Sequence, residues 1–456
     1  MTTGLVFEMK GKGQALRVEK SDEYRTAFQS LMKGNLSKQF PWLHPVREKA
    51  IQSFLETGFP TLRDEDWKYT SVEAISKSSF RFEFQPSSSE IDFKKIEPFL
   101  FANPHSPRLV FVNGFFCKEL SVIPDAFHRL KIGNWASQPQ ETSESLRREL
   151  GRWVDYTRNG FTALNMAFMT DGVRIDLPKG TTLNEPLEVL HVIDSREALA
   201  IHPRNLIVLN EGSRASIIET FVTLEGPGVL SNSVSEIVLE KGSALDYYLI
   251  QRQNPLDFHI NTTKVIAKQS SSLKSFYLTL GGKLVRNDLD VILAEEEAGC
   301  ELRGLYLTEP SAHVDNHTLI DHARPNGKSH QIYKGIMNGK SRAVFNGKVF
   351  VRKDAQKTDA YQINKNLLLS EGAIVDTKPQ LEIFADDVKC AHGAAIGQLD
   401  PEAVFYLKSR GLSEEASRSL LTYAFASEVI QKVEIDAVRE RFDRWLWEWL
   451  ENAAKT

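Results

Sequence analysis

The feature that most constrains this chain is a long repeat between residues 212 and 372. Runs of Val, Ile, Leu and Tyr are punctuated by turn residues at Gly212, Gly242, Ser270, Gly299, Gly339 and Gly372, with gaps of 30, 28, 29, 40 and 33 residues. Strand-like text follows the turns, as in GSRASIIETFV, GSALDYYLIQ, SSSLKSFYLTL and GCELRGLYLT. A unit of this length made of strands and turns, without a helix between, cannot bury its apolar side alone and has to stack on its neighbours. The repeat therefore points to a β-solenoid. A large sandwich or jelly roll also shows many short strands, but a single long period favours the solenoid.

The flanks read differently. Across 456 residues the chain exceeds one ordinary domain unless an elongated unit takes up its middle. Residues 1–157 read as mostly helical: Ser21-Asp22 precede a periodic run through Tyr24, Phe28, Leu31 and Met32, and Pro45 opens another that ends at Gly58 and Pro60. DEDW reads as a turn whose Trp67, with Tyr69, packs on the body. LVFVNGFF reads as a strand, a tight Asn113-Gly114 turn and a return. Residues 158–398 form the solenoid. From 399 to 456 the pattern is helical again, with Asp400-Pro401 and Ser413 as start signals. Leu421, Phe425, Val429 and Val433 make one apolar stripe, and Val438, Phe442, Trp445 and Trp449 a second. Two such stripes on a terminal appendage, with tryptophans on the apolar side, suggest a partner dock.

Composition narrows the function classes. Lys and Arg number 56 against 60 Asp and Glu, a formal charge of −4, which gives no general electrostatic case for nucleic acid or an anionic membrane. No apolar run has the length of a signal peptide or membrane span, so a cytoplasmic protein is expected. Cys117, Cys300 and Cys390 are odd in number and far apart, as for free thiols. Gly327-Lys328-Ser329 and Gly339-Lys340-Ser341 imitate the end of a phosphate loop, but the required earlier glycine is His322 or Lys334. The chain is not expected to hydrolyse ATP, and it carries neither a GxSxG elbow nor an HExxH helix. Asp386 and Asp387 are adjacent, so on a strand they point oppositely and cannot flank one glycosidic bond.

Two places could bind metal. Cys390 and His392 stand two residues apart and share one face of a strand, a soft thiolate beside an imidazole that suits iron, zinc or copper(I). Between His313 and His330 lie Asp315, His317, Asp321 and His322, of which His313, Asp315 and His317 share a strand face and His322 falls on the other. A solvated solenoid face with satisfied histidines is the plainer account of that stretch.

The segment containing Cys390 and His392, DDVKCAHGA followed by GQLD and FYLKSRG, resembles the end of the β-helix in the SufB/SufD family of iron-sulfur cluster assembly scaffolds. FPTLRDEDWKYT (Phe59 to Thr70), LVFVNGFF (Leu109 to Phe116), HTLIDHARPNGKSHQIYKGI (His317 to Ile336) and NLLLSEGAIVDTKPQLEI (Asn366 to Ile383) extend the likeness over nearly the whole chain. It implies a right-handed parallel β-helix and a scaffold rather than an enzyme. It also implies pairing with a SufB-like paralogue and a dock for the ABC ATPase SufC on the C-terminal helices. The dock candidates are Phe405, Tyr406, Arg410, Leu421, Phe425, Val429, Trp445 and Trp449. Cys390-Ala391-His392-Gly393, and Leu407 after Phe405-Tyr406, match the SufD branch rather than SufB. His392 then matches the family histidine proposed to face the paralogue's cysteine. Cys390 could add a thiolate if its surroundings lower its pKa.

No tightly bound cofactor is expected in the isolated chain; iron or a nascent cluster would be held transiently at the subunit interface, where ATP-driven movement of SufC exposes it. Alternatives are a SufB-like scaffold, a homodimer of this chain in isolation, and a β-helix enzyme that cleaves or isomerises acidic polysaccharides.

Overall fold

The computed structural model describes residues 21–86, 91–137 and 143–453. Its centre is a parallel β-solenoid of about eight turns, each giving one strand to each of two facing sheets. The first sheet runs from Val173–Leu177 through Arg204–Leu209, Leu230–Leu239, Phe258–Ala267, Leu284–Leu293, His313–His322 and Arg342–Val351 to Ile374–Ile383. The second runs from Leu187–Asp194 through Arg214–Glu225, Ala244–Arg252, Ser272–Leu280, Gly299–Thr308, Lys328–Met337 and Asp359–Leu368 to Lys389–Gly397.

Alternate side chains fill the space between the sheets: Leu245, Tyr247 and Leu249 point inward, while Tyr248 and Ile250 point outward beneath the C-terminal helices. Both faces of these strands are covered, so they read as continuous apolar runs instead of clean alternation. Large inward rings need room on the neighbouring turn, which glycine supplies. A Cβ on Gly304 would stand 2.3 Å from the Tyr333 ring, and one on Gly335 only 2.1 Å from that of Tyr306.

The true period is more regular than the glycines suggest. Left-handed residues at Gly212, Gly242, Ser270, Glu297, Asn326 and Lys357 (φ between 52° and 69°) each stand two positions before a strand of the second sheet, spaced 30, 28, 27, 29 and 31 apart. The gap of 40 arose because Asn326 and Lys357 turn without glycine, and because Gly299 already lies in a strand. Gly339 and Gly372 belong to the opposite corner, where a Cβ on Gly372 would lie 2.9 Å from the Gly339 carbonyl oxygen.

The N-terminal region closes the first end of the solenoid. The strand Arg108–Val112 pairs in parallel with Leu187–Asp194 and returns at the Asn113-Gly114 turn (φ 51° and 85°) into Phe115–Phe116. Leu109, Phe111, Phe127 and Ile132 plug the space between the sheets. The helices 21–33 and His44–Thr57 pack beside the solenoid, together with the helix Gly160–Phe168, which Asn159 caps. That helix falls inside the range assigned to the solenoid by sequence; its apolar residues join the N-terminal core, and the first solenoid strand begins only at Val173. Trp67 is buried and Tyr69 half-buried, as the DEDW segment required. The Trp67 ring stacks on Arg286, 3.8 Å away, and Thr70 donates to Asp315.

At the other end, the strand Lys389–Gly397 leads into three helices, Pro401–Ser409, Glu414–Ile430 and Asp436–Ala453. Asp400 accepts from the Glu402 amide (2.9 Å) and Ser413 from that of Ala416 (3.1 Å), capping the first two. The second and third lie on the outer face of the second sheet, where Val429, Phe442 and Trp445 cover Ile250, Phe276 and Leu305. Lys334 fastens this layer: from a buried position it donates to the Phe425 carbonyl oxygen (2.8 Å) and pairs with Glu428.

Candidate functional site: the open last turn

Every earlier turn is covered by the next one. The last turn, formed by Ile374–Ile383 and Lys389–Gly397, has no strand beyond it among the described residues. Exposure changes abruptly along each ladder. Ile383 is 39% exposed where its register partner Val351 is fully buried, and Ile396 is 50% exposed where Asn366 is 3% exposed. Ile374 and Phe384 add to the apolar rim. Two unpaired strand edges and an uncovered core layer form a surface that water serves poorly.

Cys390 and His392 belong to this layer. They continue the inward-facing ladders of Ala360 and Gln362, so both point toward the open mouth, with Cys390 half-buried and His392 exposed. The shared face expected from their spacing is therefore present. Burial pushes the Cys390 thiol up, a backbone hydrogen bond at Ala360 opposes this, and Asp359 adds to the rise. The surroundings thus favour the thiol, contrary to the lowered pKa that a resident thiolate ligand needs. Among the described residues no three His, Cys, Asp or Glu side chains gather as a metal site. Two donors at an edge can hold iron only if a second molecule completes the set.

Three residues of the polar stretch converge on the expected shared face, though not as a metal site: His313 and Asp315 both meet the Thr70 hydroxyl, and His317 lies 3.0 Å from Asp315. Asp315 is held well below the usual carboxylate range by His317 and Arg286, which overcome its burial. Arg286 also bridges to Asp288 at 2.9 Å and Asp315 at 2.8 Å. His322 points inward to Ser329 (2.9 Å), whereas His330 lies on the other sheet beside Tyr361. The cluster clamps the Asp66–Thr70 segment. Neither GKS triplet opens a helix: Lys328 starts a strand, and Ser341 immediately precedes one.

The dock candidates divide by side. Phe405 (73% exposed) and Tyr406 (56%) face solvent, with Arg410 lying over the Tyr406 ring at 5.1 Å. Leu421 and Phe425 are half-buried. Val429, Trp445 and Trp449 are buried against the second sheet and cannot meet a partner directly. Their regular stripe is the reason: a helix turns its periodic apolar face to its own core. Sequence reading passed over Leu412 and Trp447, which are exposed, as is Leu420 at the edge of the first stripe, with Trp447 stacked on Tyr423 at 4.7 Å. A large apolar residue standing off the stripe is the signal that would have found Trp447.

Fold and site together define a class: a parallel β-solenoid capped at one end, open at the other, with a helical appendage beside the open end. The family model described as "SUF system FeS cluster assembly, SufBD core domain" matches residues 191–425, and the SufBD N-terminal region matches 18–189. The chain belongs to the SufBD family. It is 33% identical to an iron-sulfur cluster assembly SufBD family protein of Synechocystis, over 87% of this chain and 88% of that one. To the iron-sulfur cluster assembly protein SufD of Escherichia coli it is 30% identical, over 87% and 90%. A chloroplastic Arabidopsis thaliana protein, ABCI7, is 29% identical over 88% and 84%. Among the described residues no helix is long and apolar enough to cross a membrane.

Proposed function

We propose that this chain is a SufD-like scaffold subunit in cytoplasmic iron-sulfur cluster assembly, without catalytic chemistry of its own. Its open turn pairs with a SufB-like solenoid, and its C-terminal helices carry a SufC-like ATPase. Iron or a nascent cluster is the cargo at the joint. The observation that carries this reading is the uncovered last turn, whose inward layer ends in Cys390 and His392. Stacking a like solenoid on it buries Ile383 and Ile396 and brings the partner's donors to the two this chain supplies. The exposed Phe405, Tyr406 and Arg410 on the helix that follows directly from the last strand provide the ATPase dock.

Co-expression with SufB-like and SufC-like partners tests the assignment. Ile383→Asp with Ile396→Asp is expected to release the SufB-like partner and keep the ATPase, and Phe405→Ala with Tyr406→Ala to do the reverse. Retention of both partners by both variants would refute the arrangement. His392→Ala is expected to assemble normally and yield less cluster; wild-type yield removes it from the site. Labelling of Cys390 in the complex is expected to change with ATP, and equal reactivity with and without nucleotide counts against interface opening.

A further inference from the structure

Beneath His392 the inward ladder of the second sheet holds a column of two amides, Gln362 and then Gln331, above Leu302. Gln331 donates from Nε2 to Thr318 Oγ1 (2.6 Å) and accepts at Oε1 from Gln362 Nε2 (2.7 Å). Both glutamines are fully buried. The column has a direction, because each amide donates away from the open end. Gln362 therefore ends with a buried carbonyl oxygen, Oε1, that has no protein partner. Leaving such an acceptor unpaired is costly. The next inward side chain in register is His392, one strand spacing away.

The Gln362 Nε2 occupies the space opened by Gly347 on the facing sheet, where a Cβ would come within 2.1 Å of it. In this arrangement Gln331 Oε1 holds the donor end and the acceptor end is left facing the last turn.

We propose that Gln362 is a positioning residue for His392. When the exposed His392 side chain turns inward, Oε1 accepts the N–H of one imidazole nitrogen, a bond the two side chains do not yet make in this structure; it fixes the tautomer and ring orientation and leaves the other nitrogen's lone pair for an electrophile at the mouth. An oriented imidazole of this kind is the usual outer support of a metal-binding histidine. The inference rests on the reading of His392 as a cargo ligand, but its test contains no iron and no partner.

The full chain, labelled with 15N-histidine, is observed by long-range 1H–15N NMR, with the His392 signals assigned by their loss in His392→Ala. One dominant tautomer with a slowly exchanging ring N–H is expected in the wild type. Gln362→Leu is expected to mix the tautomers and speed exchange about fivefold, the equivalent of about 1 kcal/mol for one net hydrogen bond. If Gln362→Leu folds poorly, Gln362→Met takes its place. Identical ring signals in the wild type and the apolar variant, or averaged tautomers in the wild type, overturn the proposal. Normal cluster yield in His392→Ala, by contrast, would remove the ligand role and leave this hydrogen bond standing.

Discussion

The two ends of the solenoid begin from the same problem and solve it differently. At the first end, Leu109, Phe111 and Ile132 come from a segment outside the repeat and cover the inward layer, so the turn beneath is as dry as the middle. At the last end the chain leaves the sheet at Gly397 and spends its remaining helices on the outside of the wall, not across the mouth. Material to cover the mouth exists in those helices, and it is placed elsewhere. An apolar layer left open beside a well-packed appendage is the surface that the proposed partner solenoid would cover.

One ladder offers the sharpest contrast. Val291, Ile320, Val349 and Leu381 stack in register toward the open end, the first three buried and the last half-buried. Ile320→Ala is expected to cost about 2–5 kcal/mol through lost transfer energy and a cavity. Leu381→Ala is expected to cost clearly less in the isolated chain and to approach the same cost once a partner solenoid is bound. Denaturant unfolding with and without the partner measures both. Equal costs in the isolated chain would mean that the mouth is already closed.

The covered turns also store acid sensitivity. His259 is wholly buried against Phe221, and desolvation pushes its pKa down to about 3 from 6.5. Between those values the unfolded chain binds a proton that the native side chain refuses, so this residue's contribution is present above pH 6.5 and is lost as pH falls toward 3. Relative to wild type, His259→Leu is expected to lose less stability between pH 7 and 5.5, by on the order of 1 kcal/mol. Unfolding curves at the two pH values decide it, and parallel losses would place the proton elsewhere.

Sequence displayed the covered parts more fully than the exposed ones. Stacked strands repeat because every turn faces the same neighbours, so their period survives as text. The Asn113-Gly114 turn and the Asp400 and Ser413 caps were legible because left-handed backbone and unpaired helix amides demand particular residue types. What escaped notice depended on three-dimensional neighbours. Glu219, buried between the sheets, accepts from His191 (2.9 Å), Asn205 (2.8 Å) and the Tyr247 hydroxyl, donors drawn from three strands other than its own. No local pattern announces that meeting. Trp445, Trp449 and Val429 were misread as dock residues because periodicity reports which side of a helix is apolar but not what covers it.

The later corners repeat the geometry of the earlier ones with less suitable residues. Gly212 and Gly242 take positive φ freely, while Ser270, Glu297, Asn326 and Lys357 do so with side chains, nearer the open end. A left-handed non-glycine residue costs roughly 1–2 kcal/mol, part of which glycine would return as chain entropy. Lys357 is exposed, so Lys357→Gly removes the strain at little loss of packing. A gain of up to about 1 kcal/mol is expected, with a smaller one for Asn326→Gly because Asn tolerates this conformation, and a loss of similar size for Gly242→Ala. Pairing at the mouth should be unchanged in all three. Thermal unfolding together with partner titration then separates the two ways in which the last turns differ from the first: a gain in stability with unaltered pairing assigns the turns' weakness to backbone strain, whereas no gain leaves the uncovered edge as its source.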